Sequence, residues 1–334
     1  MLRFIIRRLI QLIPILLGLS VLLFAWLRAL PGGPAVAALG ERATPARIEE
    51  YNRAFGLDQP LWDQYLRFLG RAVQLDFGVS RNTGRPVTDE FLTRFPGTVE
   101  LTVFAMVFAI GVGIPLGYLA ARKNGSWIDS TSVIGSLLGV TIPVFFLAYL
   151  MRLLFAVELG WLPGSGRQEV RMDATHITNF YVLDGLLTRE WDAAWDAFEH
   201  LILPGIALGT IPLAIIVRIT RASVLDVVNE DYVRTAQAKG LANATVRRRH
   251  ILHNALLPVS TTIGLQTGLL LSGAVLTETV FAFGGVGSTI RDAISTRDYA
   301  LLQGFILILA IMYVLVNLLV DISYALLDPR VRVS

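Results

Sequence analysis

Leu301–Leu327 reads LLQGFILILAIMYVLVNLLVDISYALL, a run whose only charged residue is Asp321. A helix needs about 20 predominantly apolar residues to cross the hydrocarbon core of a bilayer, and this run supplies them. Water is absent from that core, so each peptide group must find its partner within the segment, which makes the run a helix. Five more runs of this kind precede it: Leu9 to Leu30, Thr98 to Ala121, Ser132 to Val157, Leu201 to Thr220 and Leu256 to Val280. The composition agrees. Of 334 residues, 54% are hydrophobic and 16% charged, against roughly 25% charged in soluble globular chains. The expected fold class is an all-α membrane protein with about six transmembrane helices.

Chemistry-bearing residues are sparse. There is no cysteine and there are four scattered histidines, so a disulfide frame or a cysteine nucleophile is excluded, and no metal centre or cofactor is expected. No His-Glu-x-x-His helix or pair of intramembrane aspartates suited to hydrolysis occurs. The chain is therefore not read as an enzyme.

Residues 1–30 hold the first span, 31–97 an extracytoplasmic helical segment, and 98–327 a core with five spans, interrupted by a second extracytoplasmic loop at 158–200 and a cytoplasmic loop at 221–255. The apolar run after Arg3, Arg7 and Arg8 is longer than the 7 to 15 residues of a signal peptide, and is read as a retained first span, although Ala35-Val36-Ala37 faintly resembles a cleavage site. Basic residues set the orientation. With a cytoplasmic N-terminus, Arg122, Lys123, Arg218, Arg221, Arg234, Lys239, Arg247 to Arg249, Arg330 and Arg332 all fall inside. Acids such as Glu49, Glu50, Asp58, Asp89, Asp173, Asp184 and Asp196 fall outside, and both termini are expected in the cytoplasm.

Amphipathic stretches Ala46 to Phe55 and Pro60 to Gln74 predict short helices in the first outer segment. Trp62, Tyr65 and Phe68 are expected on one face of the second. Trp191 and Trp195 suit interfacial anchors. Pro14, Pro115, Pro143, Pro204 and Pro212 predict kinked or broken spans, either lining a pathway or simply bending helices. The pairs Gly113/Gly117, Gly135/Gly139, Gly205/Gly209 and Gly264/Gly268 allow close helix approach. No internal repeat is evident.

The cytoplasmic stretch Arg218 to Pro258 is too long for a turn and reads as helical. Asp231 or Asn229 can cap a helix through Ala238, with Gly240 at the position after its end. Asn243 can cap a second, basic helix through Arg247 to His253. Such an element suits either a docking partner or a set of arginines that only enforce topology.

Arg234-Thr235-Ala236-x-Ala238-Lys239-Gly240-Leu241 resembles the coupling-loop signature of permeases in binding-protein-dependent ABC importers, in the form typical of the oligopeptide and dipeptide branch. The general Glu-Ala is replaced by Arg234 and Thr235. Further segments resemble that branch in the same order: Leu30-Pro31-Gly32, Gly56-Leu57-Asp58-Gln59-Pro60, Asp76-Phe77-Gly78-Val79-Ser80, Leu159-Gly160-Trp161-Leu162-Pro163, Thr277-Glu278-Thr279-Val280-Phe281 and Leu327-Asp328-Pro329-Arg330. Gly33 and Gly284 stand where aspartate and proline are usual. The long first outer segment is similar to that of the first of two paired permeases.

The resemblance implies a prokaryotic inner (plasma) membrane protein surrounded by lipid. Its implied partners are a second permease, two ATPase subunits and an extracytoplasmic binding protein, with no nucleic acid. No phosphate-binding Gly-x-x-x-x-Gly-Lys loop is present, so ATP hydrolysis would reside on the partners. Asp231, Tyr232, Arg234, Thr235, Ala236, Lys239, Gly240 and Leu241 would form the inserted coupling element, flanked by Arg249 and His250. Short peptides are the implied cargo, while nickel, sugar or haem-like cargo in the same architecture, or a stand-alone carrier, stay open. The polar content of the fifth span suggests that it lines the pathway through Ser260, Gln266, Thr277, Glu278 and Phe281. Alternatively its hydroxyls bond their own helix carbonyls, and Glu278 bonds neighbouring helices. Arg152 and Asp321 lie near span ends, where snorkelling lowers the cost of their charge.

Overall fold

A computed structural model describes residues 2–29 and 33–327 of the chain. Pro31 and Gly32, and the C-terminal stretch with Asp328, Arg330 and Arg332, lie outside the described residues. So do the side chains of Arg3, Arg7, Arg8, Ser272 and Asp321. The described chain is helical, with no named strand and one isolated antiparallel bridge between Val79 and Pro86. It divides into two compact units, residues 1–96 with 285–318, and residues 97–284 with 319–334.

The first unit opens with α1 (Leu2–Ala29) and α2 (Gly33–Leu39), followed by a 3-10 turn. Next come α3 (Pro45–Phe55) and α4 (Leu61–Val73), the first residues of α5 (Val87–Arg122), α13 (Val286–Thr296) and α14 (Tyr299–Leu327). Thr44 caps α3, with Pro45 at its first position, and Gly56 ends the helix at φ +64; these are the start and stop signals the sequence carries. Phe24 of α1 packs on Tyr65 and Phe68 of α4, with ring centroids 5.2 and 5.9 Å away. Trp62 departs from the expected shared face and is 65% exposed. At 100° per residue the packed face is centred on Gln64 and Phe68, which leaves Trp62 about 160° from Gln64. The core of this unit is Val87, Phe91, Leu301, Leu302, Phe305 and neighbours. Asp298 fastens α14: its carboxylate accepts from Ser80 Oγ at 2.7 Å and from the amides of Asn82 and Leu301 at 3.2 Å each.

The second unit is built round α9 (Trp191–Val228). This helix runs unbroken through the expected boundary at Leu201 and through Pro204 and Pro212. Against it lie α5, α6 (Trp127–Thr141), α7 (Val144–Met151), α8 (Tyr181–Thr188) and α12 (His253–Val280). The run from Ser132 to Val157 is not one straight span. Helix α6 stops before Ile142-Pro143, and α7 with its π-helical extension to Glu158 leaves at 103°. Pro143 lacks the amide that would continue the ladder, and it biases Ile142 to the extended conformation observed.

Among the described residues three helices, Val87–Arg122, Trp191–Val228 and Tyr299–Leu318, are each long and apolar enough to cross a membrane, or up to five if each bent pair counts as one span. The apolar part of α1, Ile13–Ala29, is shorter.

Two of the glycine pairs do what their spacing permits. A Cβ on Gly117 would stand 2.6 Å from the Val217 carbonyl oxygen, one on Gly113 2.9 Å from Ile216, and one on Gly209 2.8 Å from the Ala105 oxygen. Helices α5 and α9 therefore meet through backbone. A Cβ on Gly135 would meet nothing within 4 Å. A second fastening is ionic: Arg221 of α9 grips both oxygens of Asp129 at 2.5 and 2.8 Å, while the Gly125 amide donates to the same carboxylate at 3.0 Å.

Gly117→Ala is expected to lower the melting temperature of the detergent-purified protein by an amount equivalent to about 1–3 kcal/mol of overpacking, whereas Gly135→Ala leaves it unchanged or raises it. Equal effects in a thermal-unfolding assay would contradict backbone contact at Gly117. A double-mutant cycle of Asp129→Ala and Arg221→Ala should return a coupling of about 1.5–3 kcal/mol, the range for hydrogen bonds to charged groups; additive losses would mean that the two side chains do not meet.

Candidate functional site

After α9 the chain turns into α10 (Asp231–Ala238). Neither expected residue caps it. Glu230 occupies the N-cap without a side-chain bond, and Asp231 is already helical. The C-terminus follows expectation: Gly240 takes φ +76, its amide bonds the Gln237 carbonyl at 2.9 Å, and the Leu241 amide bonds that of Ala236 at 3.3 Å. That paired closure is a Schellman motif, and its left-handed residue is cheapest as glycine. No atom lies within 4 Å of a Cβ built on Gly240, so the glycine answers to backbone conformation and not to crowding.

The second helix differs from the expected separate unit ending at His253. It starts at Asn243 as α11 (Asn243–Thr245), widens to a π-helix over Val246–Leu252, and continues directly as α12. Asn243 is its first helical residue, with Ala242 at the N-cap. No breaker stands between Leu252 and His253, so the basic arm runs on as one helix to Leu270, beyond which the axis bends by 58° toward Val280.

This hairpin has two faces. Val233 and Ala236, three residues apart on α10, are buried against Val246, Ile251 and Ala255, with Ala121 of α5 and Val224 of α9 completing the cluster. On the other face Asp231, Tyr232, Arg234, Thr235, Lys239, Gly240 and Leu241 are all exposed. Arg234 stands 3.7 Å from Asp231 with both side chains largely in solvent, a contact worth little in stability. Tyr232 and Leu241 are each 41% exposed. Asn254 holds the hairpin from the side, donating to Tyr232 Oη at 3.1 Å and to the His250 carbonyl at 2.8 Å. Arg249 is exposed and His250 half-buried on the basic arm. One predicted coupling residue is thus placed apart: Ala236 belongs to the packed face. The Val233/Ala236 spacing carried that signal in the sequence, and Asn254 carried none.

The predicted pathway residues fall in two groups. Ser260 and Gln266 are half-buried, and Ser260 bonds the Leu257 carbonyl at 2.7 Å. Thr261, Thr262 and Thr267 likewise bond carbonyls of their own helix. Thr277, Glu278 and Phe281, at the far end of α12, are 0–1% exposed. Thr98 Oγ1 donates to Glu278 Oε1 at 2.5 Å, and Thr277 Oγ1 is buried without a hydrogen bond among the described residues.

Three residues that sequence reasoning passed over or placed differently meet around this end. Arg152, expected to snorkel, instead donates to the Val280 carbonyl at 2.7 Å and caps α12. The Gly166 amide bonds the Phe281 carbonyl at 2.9 Å. Arg167 bridges Glu100 and the Asn179 carbonyl at 3.1 and 2.7 Å, and Glu100 also accepts from the Val182 amide. These pairs are separated by up to 128 residues, and local pattern cannot reveal them.

At 17% identity and a TM-score of 0.52, the fold is similar to a chain of the MetNI methionine ABC transporter in an inward-facing conformation; the match covers 71% of this chain and 96% of that one. The chain is 45% identical to the dipeptide transport system permease protein DppB of Alkalihalophilus pseudofirmus, over 99% of this chain and all of the relative. It is 48% identical to the di/tripeptide transport system permease protein DppB of Pseudomonas aeruginosa, over 99% of both. Identity to the glutathione transport system permease protein GsiC of Escherichia coli is 39%, again over 99% of both. Residues 1–102 match the N-terminal family of binding-protein-dependent transport system membrane components. Residues 113–333 match the family described as binding-protein-dependent transport system inner membrane component, and the chain belongs to that family.

Proposed function

We propose that the chain is the first of two paired permeases in an importer of short peptides, with six spans, both termini in the cytoplasm, and a partner ATPase docked on α10. The observation that carries this reading is the two-faced hairpin. Its outer face is presented to solvent, and its inner face is anchored on α5, α9 and α12 through Val233, Ala236, Val246 and Ile251. Burial of the inner face stabilises the hairpin in its own right, and it also lets displacement of a docked partner pass to the helices beneath. Movement of a docked ATPase would reach α12 directly, because the basic arm and α12 are one helix.

The cargo reading is supported by the names of the full-length relatives at 43–48% identity, which transport dipeptides or di- and tripeptides. An extracytoplasmic binding protein would supply selectivity, so the pathway itself needs only weak polar contacts. Thr277, Glu278 and Phe281 would then form its closed outer end and Ser260 and Gln266 part of its wall. The Thr277 hydroxyl, left without a partner in the interior, is the group there most ready to accept a new hydrogen bond.

The test is ATPase activity of the reconstituted complex of both permeases, the ATPases and the binding protein. Dipeptide-loaded binding protein should stimulate hydrolysis, and nickel- or haem-loaded binding protein should not; the reverse pattern would refute peptide cargo. Gly240→Pro, which forces φ near −65° where +76° is needed, and Arg234→Glu should abolish stimulation while membrane insertion persists. If both variants retain full stimulation, α10 is not the coupling element.

Docking itself predicts a separate outcome. Tyr232→Ala and Leu241→Ala remove exposed apolar surface from the outer face and should each weaken ATPase-subunit binding at least fivefold, as expected for an interface anchor above 1 kcal/mol. Unchanged affinity for both in a pull-down titration would move the interface off this face.

A further inference from the structure

The first unit holds an open-mouthed cavity of about 970 Å³, away from the α10 hairpin. Five arginines line it: Arg28, Arg67, Arg71, Arg81 and Arg297. They come from α1, from α4, from the segment after α4 and from the turn before α14. Among the described residues, two carboxylates share the wall, Asp76 and Asp298. Asp298 is buried and its oxygens are taken up by Ser80, Asn82 and Leu301. Asp76 accepts from the Gly78 amide at 3.0 Å. Arg28 is held by Gln64, whose Oε1 accepts from Nε and from Nη2 at 3.1 and 2.6 Å.

Four of the five, Arg67, Arg71, Arg81 and Arg297, are exposed, and positive charge gathered round one cavity raises the local concentration of anions. The backbone makes room for the arrangement. A Cβ on Gly56 would fall 2.6 Å from Arg67 Nη1, and a Cβ on Gly40 would overlap the Arg81 guanidinium. The floor and sides are apolar or aromatic, with Phe24, Leu27, Phe68, Phe77 and Tyr299. The volume is that of a small-molecule site. Guanidinium forks match the two oxygens of a carboxylate or phosphate.

We propose that this cavity binds a small ligand bearing one oxyanionic group, carboxylate or phosphate, beside an apolar body, with Arg67 and Arg297 as principal contacts. Neither of these two makes an ion pair among the described residues. In the topology proposed above the cavity lies on the extracytoplasmic side. Two sources there carry this chemistry, the C-terminal carboxylate of a short peptide and the phosphate of an anionic phospholipid. The inference does not depend on the cargo reading, since a lipid-derived ligand would satisfy it equally.

The experiment uses the assembled transporter in phosphatidylcholine nanodiscs. One arm titrates dialanine against dialanine amide by calorimetry. The other measures retention of phosphatidylglycerol against phosphatidylcholine by native mass spectrometry. Each is repeated with Arg67→Gln/Arg297→Asn; asparagine tolerates the left-handed backbone at position 297, where φ is +56. At least one anionic probe should bind tenfold or more above its neutral counterpart, and the double variant should lose that preference. A preference in the peptide arm assigns the carboxylate, and one in the lipid arm assigns the phosphate. Equal binding of anionic and neutral probes in both arms overturns the proposal, as does an undiminished preference in the double variant. If the double variant fails to assemble, the anionic-against-neutral comparison in the natural protein decides alone. Loss of peptide-stimulated ATPase in the coupling variants is a separate readout, so failure here is distinguishable from failure of the transport reading.

Discussion

Helices α5 and α9 touch through their backbones, and the second unit is arranged around that contact. In hydrocarbon the lipid tails are as apolar as leucine, so burying more apolar side chain does not by itself drive helices together; close van der Waals approach does. Gly113, Gly117 and Gly209 supply the approach, with Ile216, Val217 and Ala105 as the surfaces met. Around it gather Leu101, Ala109, Leu201, Leu208 and, from α12, Val259, Leu270 and Ala274. At one end of the same pair, Ala121 and Val224 become the floor on which the α10 hairpin sits. The bidentate Arg221–Asp129 clamp lies near that end and ties the α5–α6 connection to α9.

Some of this was readable and some was not, for reasons that lie in the range of the interactions. Gly240 was readable because a left-handed closure is a local event and glycine is its cheapest occupant. The π-helical continuation through Val246–Leu252 was not, since a single extra residue per turn leaves no mark on an apolar pattern. Helix formation across 45–55 and 61–73 followed from amphipathic spacing, yet the face of α4 was misjudged, because spacing by three drifts 60° per step away from a fixed partner. Tertiary contact with Phe24 decided which residues turned inward.

Of the candidate site, the exposed face of α10 was legible through a local signature, and its buried face through the Val233/Ala236 spacing. The outer end of α12 was legible only as a polar sequence, Thr277 and Glu278 among apolar neighbours. What fixes those residues is long-range: Thr98 lies 180 positions before Glu278, and Arg152 is 128 positions from the carbonyl it caps. The arginine-lined cavity has the same character, since its lining is drawn from residues 24 to 81 and 297 to 303.

Apolar packing holds α12 at both ends, and the end at Val280 and Phe281, set against Ala148, Leu203 and Ala207, adds long-range hydrogen bonds. Its extension through the basic arm rests on Val246, Ile251 and Ala255, apolar contacts that are non-directional. Its other end is also held by hydrogen bonds, from Arg152 to Val280, from Gly166 to Phe281 and from Thr98 to Glu278. Such bonds weaken steeply once geometry departs from ideal, and leaving their partners buried and unpaired carries the full desolvation penalty. The geometric demand on α12 is therefore stricter at Val280 than at the basic arm.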